Sequence, residues 1–376
     1  MCMKKIAIFG GTFNPVHKEH VNVSVNAVKE LNLDKLIIMP TNIPPHKSDI
    51  PAPSKDRLKM LELAFKDCEK VEISDYEIKK QGKSFTYQTV EHFSCICDCQ
   101  LYFIVGGDML KDFRTWKNPA QILSNCTLVA FNRENSGVDF ASEQEYFKKT
   151  FGKEFIKLNY VGKDCSSTEI RTYNSFGLDI KDKTDERVAE YIKKENLYSG
   201  DNYTEFVKKT LPEKRLIHTA NVVTCALQKA KENNLDKEKV RISATLHDVA
   251  KYMDYKQVKD FVLPEGVPQP VIHAFLGAYI AEKILKIQDQ EIIDAIRYHT
   301  SGKENMSQLA KLIFVADMVE KGRVYDGVEK LRQYYQKASL DECFKQCLKE
   351  EVIHLINKGQ YIYSQTLQAF DYYNKK

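Results

Sequence analysis

Two histidines, His17 and His20, stand three residues apart in Gly10-Gly11-Thr12-Phe13-Asn14-Pro15-Val16-His17-Lys18-Glu19-His20. On a helix that spacing puts both imidazoles on one face near the first turn. A helix start attracts anions through its unpaired N–H groups and its dipole, and two imidazoles add donors aimed at the same place. The chemistry this suits is stabilising charge on a phosphate during its transfer. Gly10 and Gly11 lack a Cβ and let a ligand or another backbone come close. A second constellation comprises His218, His247, Asp248, His273, His299 and Asp317, each flanked by apolar residues. One such histidine is usually a satisfied core residue. Four of them with two aspartates are better explained by metal ligation inside a helical bundle. The set contains no thiolate, suits Fe, Mn, Zn or Mg, and exceeds what one four-coordinate zinc requires. It suits two ions sharing Asp248, which could clamp a phosphate and lower the pKa of a water. Lys251, three beyond Asp248, and Arg215, three before His218, could meet the phosphate charge. Each also reads as an ordinary surface cation.

The elements that must position these residues differ between the two halves. Apolar runs at Ile6–Phe9, Lys35–Pro40, Val71–Ser74, Leu101–Val105, Thr127–Phe131 and Phe155–Val161 read as strands alternating with helical text. The first run ends in a turn at the two glycines, and a helix opens at Asn14 and Pro15. Lys55–Phe65 is a further helix, and Ser84–Val90 leads into another. Alternation of this kind predicts an α/β doubly wound parallel sheet, with ligands beyond the carboxyl ends of its strands. Polar groups recur at those ends. His46 and Lys47 follow the second run, and Asp108 and Trp116 follow the fourth. Trp116, the single tryptophan, either packs or covers a planar ring. Cys165-Ser166-Ser167-Thr168-Glu169-Ile170-Arg171 reads as a capped helix whose hydroxyls and Arg171 could hold phosphate oxygens. Strand-like runs stop after residue 198, and Ser199-Gly200-Asp201-Asn202 is a short linker. Residues 203–376 then read as amphipathic helices, so an all-α bundle follows the sheet. The expected domains are 1–198 and 203–376. The tail after Gly322 is helical and carries no chemistry of its own.

The 376 residues are too many for one ordinary core, and a net charge of +4 with 29% charged residues does not suggest a dedicated nucleic-acid binder. There is no apolar run of about 18 residues and no cleavable leader, so a soluble, cytoplasmic protein without a membrane partner is expected. The ten cysteines are scattered and do not form paired zinc-type clusters. Cys95, Cys97 and Cys99 would face one side if their segment were already a strand. Reduced structural thiols are the expectation.

The His17–His20 stretch resembles the signature of the HxGH nucleotidyltransferases, and most of all the nicotinate-nucleotide adenylyltransferases. Glu19 takes the position usually held by Gly. Ser166-Ser167-Thr168-Glu169-Ile170-Arg171 resembles that family's second signature, (I/V)SSTxIR, with Cys165 in the place of Ile or Val. The resemblance implies a Rossmann-like domain in which Gly10, Gly11, Thr12, Phe13, Ser167 and Thr168 bind ATP beside catalytic His17, His20 and Arg171. It implies nicotinate mononucleotide beside His46, Lys47, Thr86, Tyr87, Asp108 and Trp116, and Mg²⁺ on the triphosphate. The second half resembles the HD-domain phosphohydrolases, most of all the symmetrical diadenosine tetraphosphate hydrolases. That resemblance implies a two-metal centre, with iron the expected metal. His218, His247, Asp248 and Asp317 would hold one ion, and Asp248, His273 and His299 the other. Arg215 and Lys251 would bind phosphate, Lys251 with a catalytic part. The expected protein is bifunctional. It makes nicotinate adenine dinucleotide from ATP and nicotinate mononucleotide, and it cuts dinucleoside polyphosphates such as diadenosine tetraphosphate to two ADP. A homodimer is the candidate assembly. The alternatives are another mononucleotide adenylyltransferase joined to a general HD nucleotide phosphatase, or an HD module that senses nucleotide without turnover.

Overall fold

The computed structural model describes residues 3–42, 52–80, 82–96, 98–134 and 137–375. His46, Lys47 and Cys97 lie outside the described residues. The chain divides into two compact units, Met1–Arg171 with Asp179–Tyr198, and Thr172–Leu178 with Ser199–Lys376.

In the first unit the strands are β1 (Lys4–Gly11), β2 (Lys35–Pro40), β3 (Val71–Ile73), β4 (Cys99–Gly106), β5 (Thr127–Arg133) and β6 (Ile156–Gly162). They form one six-stranded sheet in the order β3-β2-β1-β4-β5-β6, and every neighbouring pair is parallel. Helices cover both faces, so the inner strands are apolar on both sides. Ile8, Leu36, Ile38, Ile104, Leu128 and Val129 are all fully buried. This is the doubly wound sheet the alternation predicts. Its order reverses between β1 and β4, where a ligand crevice is expected beyond the carboxyl ends.

Three local expectations change. β1 does not turn at its glycines but continues through both, because Gly10 and Gly11 pair with Met39 and Pro40 of β2. The next helix starts at Lys18, not at Asn14. The carbonyls of Asn14, Pro15 and Val16 are held by side chains of Arg171, Ser167 and Thr184, so no helical N–H takes them. Cys95 lies in the helix Thr86–Ile96 and Cys99 opens β4, so those thiols share no strand face. The eight described cysteines are free thiols.

The second unit contains no strand among its described residues. Helices Glu213–Ala230, Lys237–Leu246, Ile272–Tyr279, Gln290–Tyr298 and Gln308–Val319 carry the candidate ligands or end beside them. Their starts are set by side-chain caps. Asp236, Asp289 and Ser307 each accept from backbone N–H groups of the following turn. Gln308–Val319 is the inner helix, with Leu312, Ile313, Val315 and Ala316 fully buried. Val328–Lys337, Leu340–Asn357 and Ser364–Asn374 follow. No helix among the described residues is long and apolar enough to cross a membrane.

Candidate functional sites

His17 is the N-cap of the helix Lys18–Glu30, and His20 is its third residue. Their rings stack with centroids 3.5 Å apart. Each imidazole caps the other's backbone. His17 Nδ1 accepts from His20 N–H at 3.3 Å, and His20 Nδ1 accepts from His17 N–H at 3.1 Å. A ring nitrogen that accepts carries no proton, so the hydrogen of each neutral ring sits on Nε2. Burial, with a smaller push from the Arg133 charge, lowers the His17 pKa to about 3 and keeps the ring neutral. The pair therefore presents two neutral N–H donors. His17 and His20 line one pocket with Arg133, Gly162 and Lys163.

The turn before them is tightly held. Arg57, 1% exposed, donates Nη1 to the carbonyls of Thr12 (2.9 Å) and Thr41 (2.8 Å) and Nε to Ala52 O (3.1 Å). Arg171 Nη1 reaches Asn14 O at 2.6 Å and its Nη2 reaches Thr168 Oγ1 at 3.1 Å. Ser167 Oγ donates to Pro15 O at 2.8 Å. So Arg171, Ser167 and Thr168 stand with the histidine turn, and their described bonds order it. Gly11 leaves room for the Phe13 ring, which would lie 3.0 Å from a Cβ there. Phe13 in turn packs edge-on against His20, centroids 4.9 Å apart. Gly10 lies under Phe103.

The other polar candidates follow different strand ends. Asp108 faces Arg133, which lines the histidine pocket, at 3.9 Å. Thr86 opens the helix Thr86–Ile96. Lys117 Nζ lies 4.8 Å from the Phe85 ring centre and 5.7 Å from that of Tyr87. Trp116 packs half-buried against Phe103 and Phe113 as part of the core.

In the second unit, four imidazoles surround one carboxylate. Asp248 Oδ2 lies 3.8 Å from His218 Nε2 and 3.6 Å from His247 Nε2. Its other oxygen, Oδ1, lies 3.0 Å from His273 Nε2 and 3.6 Å from His299 Nε2. The donors thus form two groups, His218/His247/Asp248 and Asp248/His273/His299, whose ligand atoms lie within 4.8 Å of one another. Asp317 joins the first group, 3.0 Å from His218 Nε2 and 3.9 Å from His247 Nε2. Here the rings are turned the opposite way. His247 Nδ1 bonds Ala244 O at 2.7 Å and His299 Nδ1 bonds Ile296 O at 2.8 Å. A carbonyl accepts, so Nδ1 carries the hydrogen and the Nε2 lone pair faces Asp248. This donor chemistry fits divalent metal ions. His247, Asp248 and Lys251 lie just past the end of Lys237–Leu246, and His299 just past Gln290–Tyr298. They are not helix-interior residues as their sequence context suggested. The helix end leaves the i−3 carbonyl open to the ring.

Arg215 Nη1 donates to Asp248 Oδ2 at 2.8 Å, and Lys251 Nζ lies 3.7 Å from Oδ1 and 3.2 Å from His273 Nε2. Burial acts to raise the Asp248 pKa, yet nearby positive charge, that of Lys251 included, holds it well below the usual carboxylate range. Asp317 behaves alike, held down by Arg323 and His218 against burial.

Five contributors were not read from the sequence. Arg133 closes β5 and Lys163 follows β6, the position where the crevice rule would have found them. Glu320 Oε1 holds His218 Nδ1 at 3.0 Å, and Arg323 binds both the carboxylate and the carbonyl of Asp317. Thr300 Oγ1 lies 3.1 Å from His299 Nε2. The clue for Glu320 and Arg323 was their spacing of three and six from Asp317.

Residues 8–173 match the cytidylyltransferase-like family and residues 215–322 the HD domain. A Mycoplasma genitalium protein named "Probable nicotinate-nucleotide adenylyltransferase/Ap4A hydrolase" is 30% identical over 326 residues, covering 85% of this chain and 88% of its own. The "Probable nicotinate-nucleotide adenylyltransferase" of Clostridium tetani is 42% identical over 199 residues, 52% of this chain and all of its own. Among solved structures, a "predicted HD superfamily hydrolase involved in NAD metabolism" from Clostridium acetobutylicum is 29% identical. It covers 46% of this chain and 96% of its own, with a TM-score of 0.43.

Proposed function

We propose, from the premise that this chain belongs to the nicotinate-nucleotide adenylyltransferase/Ap4A hydrolase family, that it carries out both reactions, one in each unit. In the first, a phosphate oxygen of nicotinate mononucleotide attacks the α-phosphorus of ATP. The bond to pyrophosphate breaks, and nicotinate adenine dinucleotide forms. The substrate supplies its own nucleophile, so the protein contributes positioning and charge stabilisation. His17 and His20 donate Nε2–H to phosphate oxygens as charge develops. Arg171, Ser167 and Thr168 fix the turn that aims them, and Gly10 to Phe13 line the ATP site. Arg133 and Lys163 add positive charge to the same pocket. The mononucleotide lies toward Thr86, Tyr87, Asp108 and Trp116, with His46 and Lys47, and Mg²⁺ accompanies the triphosphate.

In the second reaction, diadenosine tetraphosphate and water give two ADP. His218, His247, Asp248 and Asp317 would hold one ion, and Asp248, His273 and His299 the other, with iron the proposed metal. Such ions supply positive charge to the phosphates and acidify a water. Glu320 and Arg323 orient His218 and Asp317, while Arg215 and Lys251 face the outer phosphates. Domain limits of 1–198 and 203–376, a cytoplasmic location and a homodimer complete the proposal.

The observation that carries this reading is the opposed orientation of the imidazoles. Protons face the pocket at His17 and His20, which suits phosphate oxygens. Lone pairs face inward at His247 and His299, which suits metal. The test is product analysis on the purified chain. ATP with nicotinate mononucleotide should give the dinucleotide and pyrophosphate. The nicotinamide analogue should be worse by on the order of 10²-fold, because donors arranged for a carboxylate are mismatched by an amide. Equal use of both mononucleotides would overturn the nicotinate assignment, and intact diadenosine tetraphosphate after metal loading would overturn the hydrolase.

A further inference from the structure

The histidine pocket is lined from three places. One is the start of the helix Lys18–Glu30, with His17 and His20, and another is the end of β5, with Phe131 and Arg133. The third is the end of β6 and the residues after it, with Gly162, Lys163 and Cys165. Glu19 joins the first to the third, while Glu30, at the far end of the same helix, takes the Asn159 and Tyr160 N–H groups of β6. Glu19, 8% exposed, turns its carboxylate from the helix toward the strand. Its Oε2 accepts from the Tyr160 hydroxyl at 2.7 Å and from the Lys163 backbone N–H at 2.9 Å. Its Oε1 accepts from Asn22 Nδ2 at 2.8 Å on its own helix. Gly162 permits the approach, since a Cβ there would stand 3.3 Å from Glu19 Oε2. The glycine usual at position 19 of the signature has no side chain and cannot make this bridge.

We propose that Glu19 is a positioning residue for ATP, fixing the Gly162–Cys165 wall at one distance from His17 and His20. Hydrogen bonds to a carboxylate are stronger than those between neutral groups, so the bridge holds the strand end firmly. A wall ordered in advance lowers the ordering cost of binding a nucleotide. The bridge restrains the bound nucleotide before and during transfer alike. Its loss therefore raises the ATP KM and leaves kcat largely alone. This inference rests on the adenylyl-transfer reading above.

The experiment is steady-state kinetics on the full chain, with ATP varied at saturating nicotinate mononucleotide. Glu19→Gly should raise the ATP KM about tenfold, or about 1.4 kcal/mol, with kcat within about threefold. Glu19→Gln keeps the shape and an acceptor oxygen but loses the charge, and should give a KM about threefold above wild type, below that of Glu19→Gly. Tyr160→Phe deletes one donor without touching the helix start, and should raise KM about threefold. It keeps the inference testable should the glycine variant unfold. An unchanged ATP KM in folded Glu19→Gly, or a Gln variant as poor as the Gly variant, would overturn the bridge. Wild-type chain that makes no dinucleotide would instead refute the adenylyl-transfer reading itself.

Discussion

Replacing Asp248 with Ala removes the one carboxylate that faces four imidazoles. Its oxygens lie 3.0–3.8 Å from His218, His247, His273 and His299, two rings to each oxygen. Losing a group that merely supports a metal ligand typically costs about 10- to 100-fold in affinity. Asp248 faces both donor groups directly, so each ion should bind at least about 100-fold more weakly and the pair about 10⁴-fold. Asp248→Asn keeps one neutral oxygen and should retain about one ion per chain, since one donor group stays nearly complete. The Ala variant also leaves Arg215, 2.8 Å from Oδ2, without its acid. An unpaired buried charge costs about 3–5 kcal/mol, less here because the Arg215 side chain is 22% exposed. Melting must therefore accompany the assays. These are metal per chain by elemental analysis, diadenosine tetraphosphate cleavage by chromatography, and dinucleotide synthesis on the same preparation. Cleavage should collapse and synthesis should persist. Full metal content with normal cleavage in a folded Asp248→Ala protein would refute the shared-carboxylate argument. Loss of synthesis in that protein would refute the independence of the two activities.

Four further outcomes are expected. His20→Ala should lower the synthesis kcat by about 10²-fold, as loss of one transition-state donor does. His17→Ala should also lose about 1 kcal/mol of stability with its cap. His17→Asn should recover the melting temperature but not the turnover, and recovery of both would make the ring a cap alone. The folded His17 pKa is about 3 and the unfolded value 6.5. The unfolded chain therefore takes up a proton below pH 6.5 that the folded chain refuses. This contribution to stability is present above pH 6.5 and is lost toward pH 3, at up to about 1.4 kcal/mol per unit. Melts from pH 7 to 4 should be shallower for His17→Asn, and equal slopes would contradict the burial argument. Arg57→Met strips donors from the carbonyls of Thr12, Thr41 and Ala52. It should cost about 3 kcal/mol or more, with partial recovery in Arg57→Lys. Urea unfolding decides this, and a Met variant as stable as wild type would remove Arg57 from the turn.

The sheet was legible because parallel strands are buried on both faces, so Leu36 to Met39 and Leu101 to Val105 stand out as unbroken apolar runs. The metal-type cluster was legible because histidines and aspartates are rare between apolar neighbours. Helix starts and ends were less so. The spacing of His17 and His20 reads as one helical face, whereas the fold makes the first a cap. The reason lies in Arg171, Ser167 and Thr184, more than 150 residues away, which take the turn's carbonyls. Arg57 shows the same limit. It sits on the helix Ser54–Ala64 among charged residues, where no spacing sets it apart, yet loops from elsewhere bury it. Long-range carbonyl acceptors leave no periodic trace.

The sheet order also bears on how the chain reaches its fold. β1 lies in the middle, and its two partners come at very different distances along the chain. Lys35 pairs with Ile6, but the other edge waits for Cys99 to pair with Lys4. Until β4 is available, an early three-stranded half would present Ile6 and Ile8 along an open edge. Loop-closure entropy makes that later pairing the slower one. During synthesis the sheet would thus pass through an interval in which its future centre is its most adhesive border. Aggregation on refolding should respond most to changes that weaken β4 or delay its arrival.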